Sequence, residues 1–212
     1  MIVITGTNTN VGKTIATAAL VARIPQAVPV KPVQTGEPDG HGDIFTIERL
    51  TGVQGIEFTR YPEPLAPNLA ARRADMPQLT LSETASKIRS LQTPTNTVLI
   101  EGAGGLLVRL ADSWTLADLA VELHAKVIVV TSLGLGSLNA AELTVEAARA
   151  RGLDVVGLIG GAMPEHPDLA TSLNIAELPR VTGVPFLGGL PDNAGTLSQA
   201  EFSEIAQRIV VP

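Results

Sequence analysis

Lys13 and Thr14 close the stretch Gly6-Thr7-Asn8-Thr9-Asn10-Val11-Gly12-Lys13-Thr14, and this pair is the densest chemistry in the chain. An ammonium beside a hydroxyl, behind a glycine-bounded loop, suits a phosphorylated ligand. The lysine places a point charge on β- and γ-phosphates, and the hydroxyl is a hard oxygen for Mg²⁺. The apolar run Ile2-Val3-Ile4 precedes the loop and an apolar helical pattern, Ile15 to Ala22, follows it. Strand, loop and helix in that order are what such a cradle needs. Glycines admit conformations that a Cβ would block. The loop N–H groups then point inward, and the helix N-terminus adds free donors. Five residues separate Gly6 from Gly12, one more than the common pattern, so the loop is a variant.

Two further polar residues lie where apolar runs end, and a third opens a helix. Lys31 closes Val28–Lys31 and continues into Pro32-Val33-Gln34-Thr35-Gly36. Glu101 closes Val98–Glu101 and runs into Gly102-Ala103-Gly104-Gly105. An acid at the end of a buried strand, followed by glycines, looks like the second metal-linked acid of a phosphate-loop enzyme. Asp43 follows the loop Gly36 to Gly42 and opens a helical pattern. On the residues alone it is equally an N-cap and a metal-linked acid.

The elements that must hold these residues alternate. Strands are expected near Ile2–Thr5, Val28–Lys31, Val98–Glu101, Val127–Thr131, Val155–Gly160 and Phe186–Leu190. Helices are expected near Thr14–Ala22, Ile44–Leu50, Ser82–Leu91, Leu116–Leu123, Asn139–Arg151 and Leu173–Thr182, with Ser198–Ile209 last. The alternation predicts a single α/β domain over residues 1–212, doubly wound, with a mostly parallel sheet and helices on both faces. Ligands in such folds bind beyond the carboxyl ends of the strands, where the four polar clusters would meet. Pro62, Pro64 and Pro67 read as a rigid connection and not as a domain linker.

Composition narrows the function. Of the 212 residues, 45% are hydrophobic but only 3% aromatic, so the core must be Val, Ile, Leu and Ala. The net charge of −6, with no basic cluster beyond Arg72-Arg73, argues against nucleic acid. The absence of cysteine excludes disulfides, thiolate metal sites and cysteine nucleophiles. No apolar stretch is long enough for a bilayer and no signal peptide is legible, so a cytoplasmic protein without membrane contact is expected. His41, His124 and His166 lack metal-ligand spacing and read as solvated or structural. Trp114 reads as a packing residue, and Arg72-Arg73 as a solvated helix face.

Taken in order, the loop ending Val11-Gly12-Lys13-Thr14, the segment Lys31 to Gly36, the segment Glu101 to Gly105 and Gly134-Leu135-Gly136-Ser137-Leu138-Asn139 closely resemble the dethiobiotin synthetase family. The match covers about the first three-quarters of the chain. The resemblance implies a phosphate-loop NTPase fold, ATP and Mg²⁺ as cofactors, and diaminopelargonic acid with CO₂ as substrates. It implies that Asn10, Val11, Gly12, Lys13, Thr14, Asp43, Glu101, Gly102, Ala103 and Gly104 bind nucleotide and metal, with Thr14, Asp43 and Glu101 around Mg²⁺. Lys13 and Lys31 would be catalytic, flanking the carbamate and the transferred phosphoryl group. Thr9, Thr35 and the turn Leu135, Gly136, Ser137, Leu138 and Asn139 would bind substrate, the turn acting across a homodimer interface. The chain departs from the family pattern at Asn10, where some members carry an acid. It also departs at Gly160-Gly161-Ala162, where the family's adenine-reading asparagine is replaced, and near Leu190-Pro191-Asp192-Asn193. Loose choice of nucleotide base is therefore expected. The competing reading is a partition or positioning ATPase, which shares the general fold. Many of those carry an extra lysine early in the loop, where this chain has Thr7 and Asn8.

Overall fold

The computed structural model describes residues 1–37 and 39–212. Its main sheet has seven strands in the order β3-β2-β4-β1-β7-β8-β9, and each neighbouring pair is parallel. The strands are β1 (Ile2–Gly6), β2 (Ala27–Thr35), β3 (Ile56–Tyr61), β4 (Thr97–Gly105), β7 (Lys126–Thr131), β8 (Val155–Met163) and β9 (Phe186–Pro191). A small antiparallel hairpin, β5 (Arg109–Ala111) and β6 (Trp114–Thr115), lies apart from it.

Side-chain alternation builds two cores. Val3, Val98, Ile100, Val127 and Val129 face one helical layer: α3 (Pro67–Arg73), α4 (Leu81–Ser90), α5 (Leu116–Glu122), α6 (Ser137–Arg149) and α7 (Leu169–Thr182). Ile2, Ile4, Leu99, Ile128 and Val130 face the other: α1 (Lys13–Arg23), α2 (Asp43–Thr51) and α8 (Gln199–Ala206). Both faces of the sheet are covered, which is why its strands read as continuous apolar runs.

Every expected strand and helix is present, and the differences have local causes. The edge strand β3 was not expected. Its sequence Ile56-Glu57-Phe58-Thr59-Arg60-Tyr61 carries two charges and is half-buried until Tyr61, as an edge strand can be. Strand β2 runs on through Pro32 to Thr35. Its pairing to β4 ends at Val30, which leaves room for a residue without an N–H. Helix α7 begins at Leu169 and not near Leu173, because Asp168 caps it by accepting from the Thr171 N–H at 2.7 Å. Pro67 is the first residue of α3, where a missing N–H costs nothing. Trp114 is buried and donates to the Leu79 carbonyl at 2.8 Å, in keeping with a packing role.

Candidate functional site

β1 lies in the middle of the sheet, so the loop after it opens into the crevice at the carboxyl ends of the strands. Thr7 N–H donates to the Val130 carbonyl at 2.9 Å and ties the start of the loop to β7. Among the described residues no backbone carbonyl accepts from the N–H groups of Asn10 to Thr14. These donors are left for an anion. Gly12 caps α1 with φ 91, a left-handed conformation suited to glycine. Lys13 begins the helix, and its Nζ donates to the Asn8 carbonyl at 3.2 Å, folding the ammonium back under the loop.

A cavity of about 940 Å³ lies against this loop. Thr9, Asn10, Gly12, Lys13, Thr14, Lys31, Thr35, Asp43, Glu101, Ala103 and Gly104 all line it, as the motifs predict. At its base the charges interlock. Thr14 Oγ1 lies 2.8 Å from Asp43 Oδ1 and 3.0 Å from Glu101 Oε1. Lys31 Nζ donates to Glu101 Oε1 at 3.1 Å and to the Gly102 carbonyl at 2.9 Å, and is paired with Asp43 Oδ2. Lys31 and Glu101 are 3% and 1% exposed, so these charges interact in a medium far less polarisable than water.

Electrostatics separates the two acids. Burial raises both, but Lys31 outweighs it at Asp43 and holds that carboxyl down to about 2. At Glu101 burial wins, assisted by the Asp43 charge, and the carboxyl is raised despite Lys31. Burial also pulls at Lys31, yet Glu101 and Asp43 together hold its ammonium above the ordinary lysine value. Lys13 is lowered, by burial first and then by Lys31. Among the described residues a buried carboxyl oxygen, Glu101 Oε2, has no hydrogen-bond partner. An unpartnered buried acceptor beside a second carboxylate and a threonine hydroxyl is a hard-oxygen donor set that suits Mg²⁺, with water and phosphate filling the remaining positions.

The structure sets aside one of the two readings of Asp43, the N-cap. Gly42 occupies the cap of α2 and Asp43 is its first helical residue, with its side chain turned to Thr14 and Lys31. Gln34, a motif residue given no role from sequence, accepts the Asp43 N–H at 3.0 Å and fixes the start of that helix. Two other motif residues stay off the cavity wall. The Gly102 carbonyl instead holds Lys31, and Val11 is buried in the core under the loop. His41 lines the cavity mouth, stacked on Phe45 with ring centroids 4.5 Å apart. His124 and His166 are exposed, and Arg72 and Arg73 lie exposed in the last turn of α3.

Leu135, Gly136, Ser137, Leu138 and Asn139 do not line this cavity within one chain. Leu135 is 91% exposed, Gly136 caps α6 with no side-chain hydrogen bond among the described residues, and the Ser137 N–H donates to the Gly134 carbonyl at 3.2 Å. Sequence reasoning missed the residue that shapes this turn. Asn174, buried on α7, donates Nδ2 to the carbonyls of Leu133 at 3.0 Å and Gly134 at 2.8 Å, with Ser137 Oγ at 3.2 Å. An asparagine set between Leu173 and Ile175 was the signal available.

Comparison with known proteins gives relatives for the whole chain. The protein-family model described as an AAA domain matches residues 1–200. An ATP-dependent dethiobiotin synthetase BioD of Corynebacterium diphtheriae is 59% identical over 216 aligned positions, spanning 100% of this chain and 97% of the relative. That of Saccharopolyspora erythraea is 50% identical, spanning 100% of this chain and 96% of the relative. Among solved structures, the Pyrococcus furiosus cell division ATPase MinD superposes with a TM-score of 0.57 at 16% identity, covering 98% of this chain and 97% of its own. A ParA family ATPase from Chlorobium tepidum gives a TM-score of 0.53 at 14% identity, covering 97% and 91%. At such identities those two likenesses speak for a phosphate-loop NTPase fold alone, whereas the full-length relatives speak for more: the chain belongs to the ATP-dependent dethiobiotin synthetase family.

Proposed function

We propose that this cavity performs the ATP-dependent carboxylation and ring closure of 7,8-diaminononanoate to dethiobiotin, releasing ADP and phosphate. The observation that carries the reading is the convergence of Lys13, Lys31, Thr14, Asp43 and Glu101 on one cavity wall. Two amines on adjacent carbons define the substrate. One amine takes up CO₂ and loses a proton to become a carbamate. A carbamate oxygen attacks the γ-phosphorus of ATP, and the bond to the ADP bridging oxygen breaks. The second amine then attacks the carbamoyl carbon. Its C–N bond forms as the C–O bond to phosphate breaks, and the nitrogen's proton leaves with phosphate or solvent.

An anion must attack an anion in this sequence, so the chain's main task is charge neutralisation and placement. Lys13, folded under the loop, faces the β- and γ-phosphates. Lys31 reaches the same cavity from β2 and faces the carbamate. Thr14, Asp43 and Glu101 would hold Mg²⁺, which neutralises phosphate charge when bound. Thr9 and Thr35 are at hand for the amines. The turn Leu135–Asn139 lies outside the cavity of its own chain, and its N–H groups make an anion site at the start of α6. In our reading a second copy of the chain supplies it, so that the substrate's tail carboxylate is bound across a homodimer interface. The reading is tested by supplying ¹³C-bicarbonate, diamine, Mg²⁺ and ATP, and weighing the product. One labelled carbon and one ADP per cyclic urea support it. ADP without labelled urea contradicts it.

A further inference from the structure

Near its carboxyl end, at Gly161, strand β8 runs against the phosphate loop with no side chain between them. A Cβ built on Gly161 would lie 1.8 Å from the Val11 carbonyl oxygen. The reverse contact is as close: a Cβ on Gly12 would lie 2.3 Å from the Gly161 carbonyl oxygen and 2.7 Å from its Cα. Two backbones therefore meet at a separation that only glycine on both sides allows. Gly161 is buried, and its neighbour Gly160 still pairs with Thr131 of β7, so this strand end is held by the sheet.

The contact matters because of what it does not replace. The start of the loop is tied to β7 by the Thr7 to Val130 hydrogen bond. Among the described residues no backbone hydrogen bond made by the N–H groups of Val11 or Gly12 ties the far limb, which leaves those donors for phosphate. Packing against Gly161 fixes this limb while leaving its donors open. Lys13 and Thr14 follow at once, so a shift of Val11–Gly12 displaces both.

We propose that Gly161 is a positioning residue of the phosphate site: its backbone braces Val11–Gly12 and so sets where Lys13 and Thr14 meet the triphosphate. The role rests on the reading of residues 6–14 as the triphosphate site. It also explains why no side chain stands at position 161. Any Cβ there strikes the loop, whereas Ala162, the next residue, is exposed.

The test compares Gly161→Ala with Gly157→Ala on the same strand. At Gly157 the three atoms nearest an added Cβ all belong to the Leu187 side chain, the closest being Cδ1 at 2.2 Å. ADP with Mg²⁺ is titrated calorimetrically into each full-length variant, and KM is measured for ATP and for the diamine. Displacing a catalytic loop by about 1 Å can cost roughly 10²-fold. Gly161→Ala should weaken ADP binding and raise KM for ATP about tenfold or more, with KM for the diamine unchanged. Gly157→Ala should lower the melting temperature with ADP affinity intact. ADP affinity in Gly161→Ala equal to wild type, or equal losses in the two variants, would overturn the proposal. If Gly161→Ala does not fold, hydrogen exchange on the wild-type protein decides. Protection at Gly161 should rise with that at Val11–Gly12 when ADP binds, and unchanged exchange at Gly161 beside a protected loop overturns the brace. Failure of the wild-type protein to bind ADP at all is a different outcome, which sinks the triphosphate reading itself.

Discussion

The ammonium of Lys31 lies 3.1 Å from Glu101 Oε1, with both side chains buried on strands that are neighbours in the sheet. β2 and β4 pair only as far as Val30 and Ile100 and then part. Lys31 and Glu101 are the next residue on each strand, and they bridge the opening. Asp43, from the first turn of α2, completes the group with Thr14. The site thus stands where the sheet splits.

In the proposed reaction Lys31 faces the carbamate, so its loss should separate chemistry from nucleotide binding. Lys31→Ala is expected to lower product formation by about 10²-fold or more while ADP affinity changes by less than about tenfold. Turnover and ADP titration on the same preparation check this. Equal losses in both would make Lys31 a second phosphate lysine.

Acid should unfold the protein partly through Asp43. Its folded value of about 2 lies below the 3.8 of an unconstrained carboxyl. A depressed carboxyl contributes stability above its unfolded value, and that contribution is lost as pH falls from about 4 towards about 2. In Lys31→Met the two buried carboxyls lose their nearest counter-ion and keep only the weaker attraction of Lys13. Stability at about pH 7 should then be lower than wild type and should recover in part near pH 5, as a carboxyl takes up a proton. Urea denaturation across this range measures it. Parallel pH profiles for the two proteins would show that Lys31 does not control these acids.

Much of this was legible in the sequence because the signals were local. The Gly6–Thr14 loop, the acid ending β4 and the lysine in β2 each sit beside an apolar run whose period is plain. What stayed hidden depends on contacts between distant segments. Gln34 bracing Asp43, Asn174 holding the turn at Gly134 and Gly161 pressing on Val11 all span elements that periodicity treats separately. The charged edge strand β3 was hidden for another reason: it has one buried residue, Tyr61, and so no apolar pattern.

Base selection is expected to be loose. Strong discrimination needs buried polar groups that a wrong base leaves unpaired. Gly160 and Gly161 offer backbone only, and Gly161 is occupied by the loop. The triphosphate contacts act alike on any base. CTP and GTP should therefore support synthesis within roughly tenfold of ATP, a difference of about 1.4 kcal/mol. Values of kcat/KM for four triphosphates decide it, and a preference for ATP above about a hundredfold would contradict it.

A shared site predicts complementation. Lys13→Ala inactivates the phosphate loop, and Gly136→Trp blocks the turn before α6. Each alone should be inactive as a homodimer. A mixed dimer should regain one working site, restoring a fraction of activity after subunit exchange. A strictly monomeric protein, or no recovery despite proven exchange, would place the turn outside the reaction.

The central claim is that phosphoryl transfer goes to a carbamate of the diamine. Supplying ¹⁸O-labelled CO₂ with ATP and unlabelled diamine, under single turnover, tests it directly. The attacking carbamate oxygen becomes a phosphate oxygen and stays there when the ring closes. The account predicts one labelled oxygen in each phosphate released, and release only when diamine is present. Unlabelled phosphate, formed at the same rate without diamine, would contradict it and leave a nucleotide hydrolase in its place.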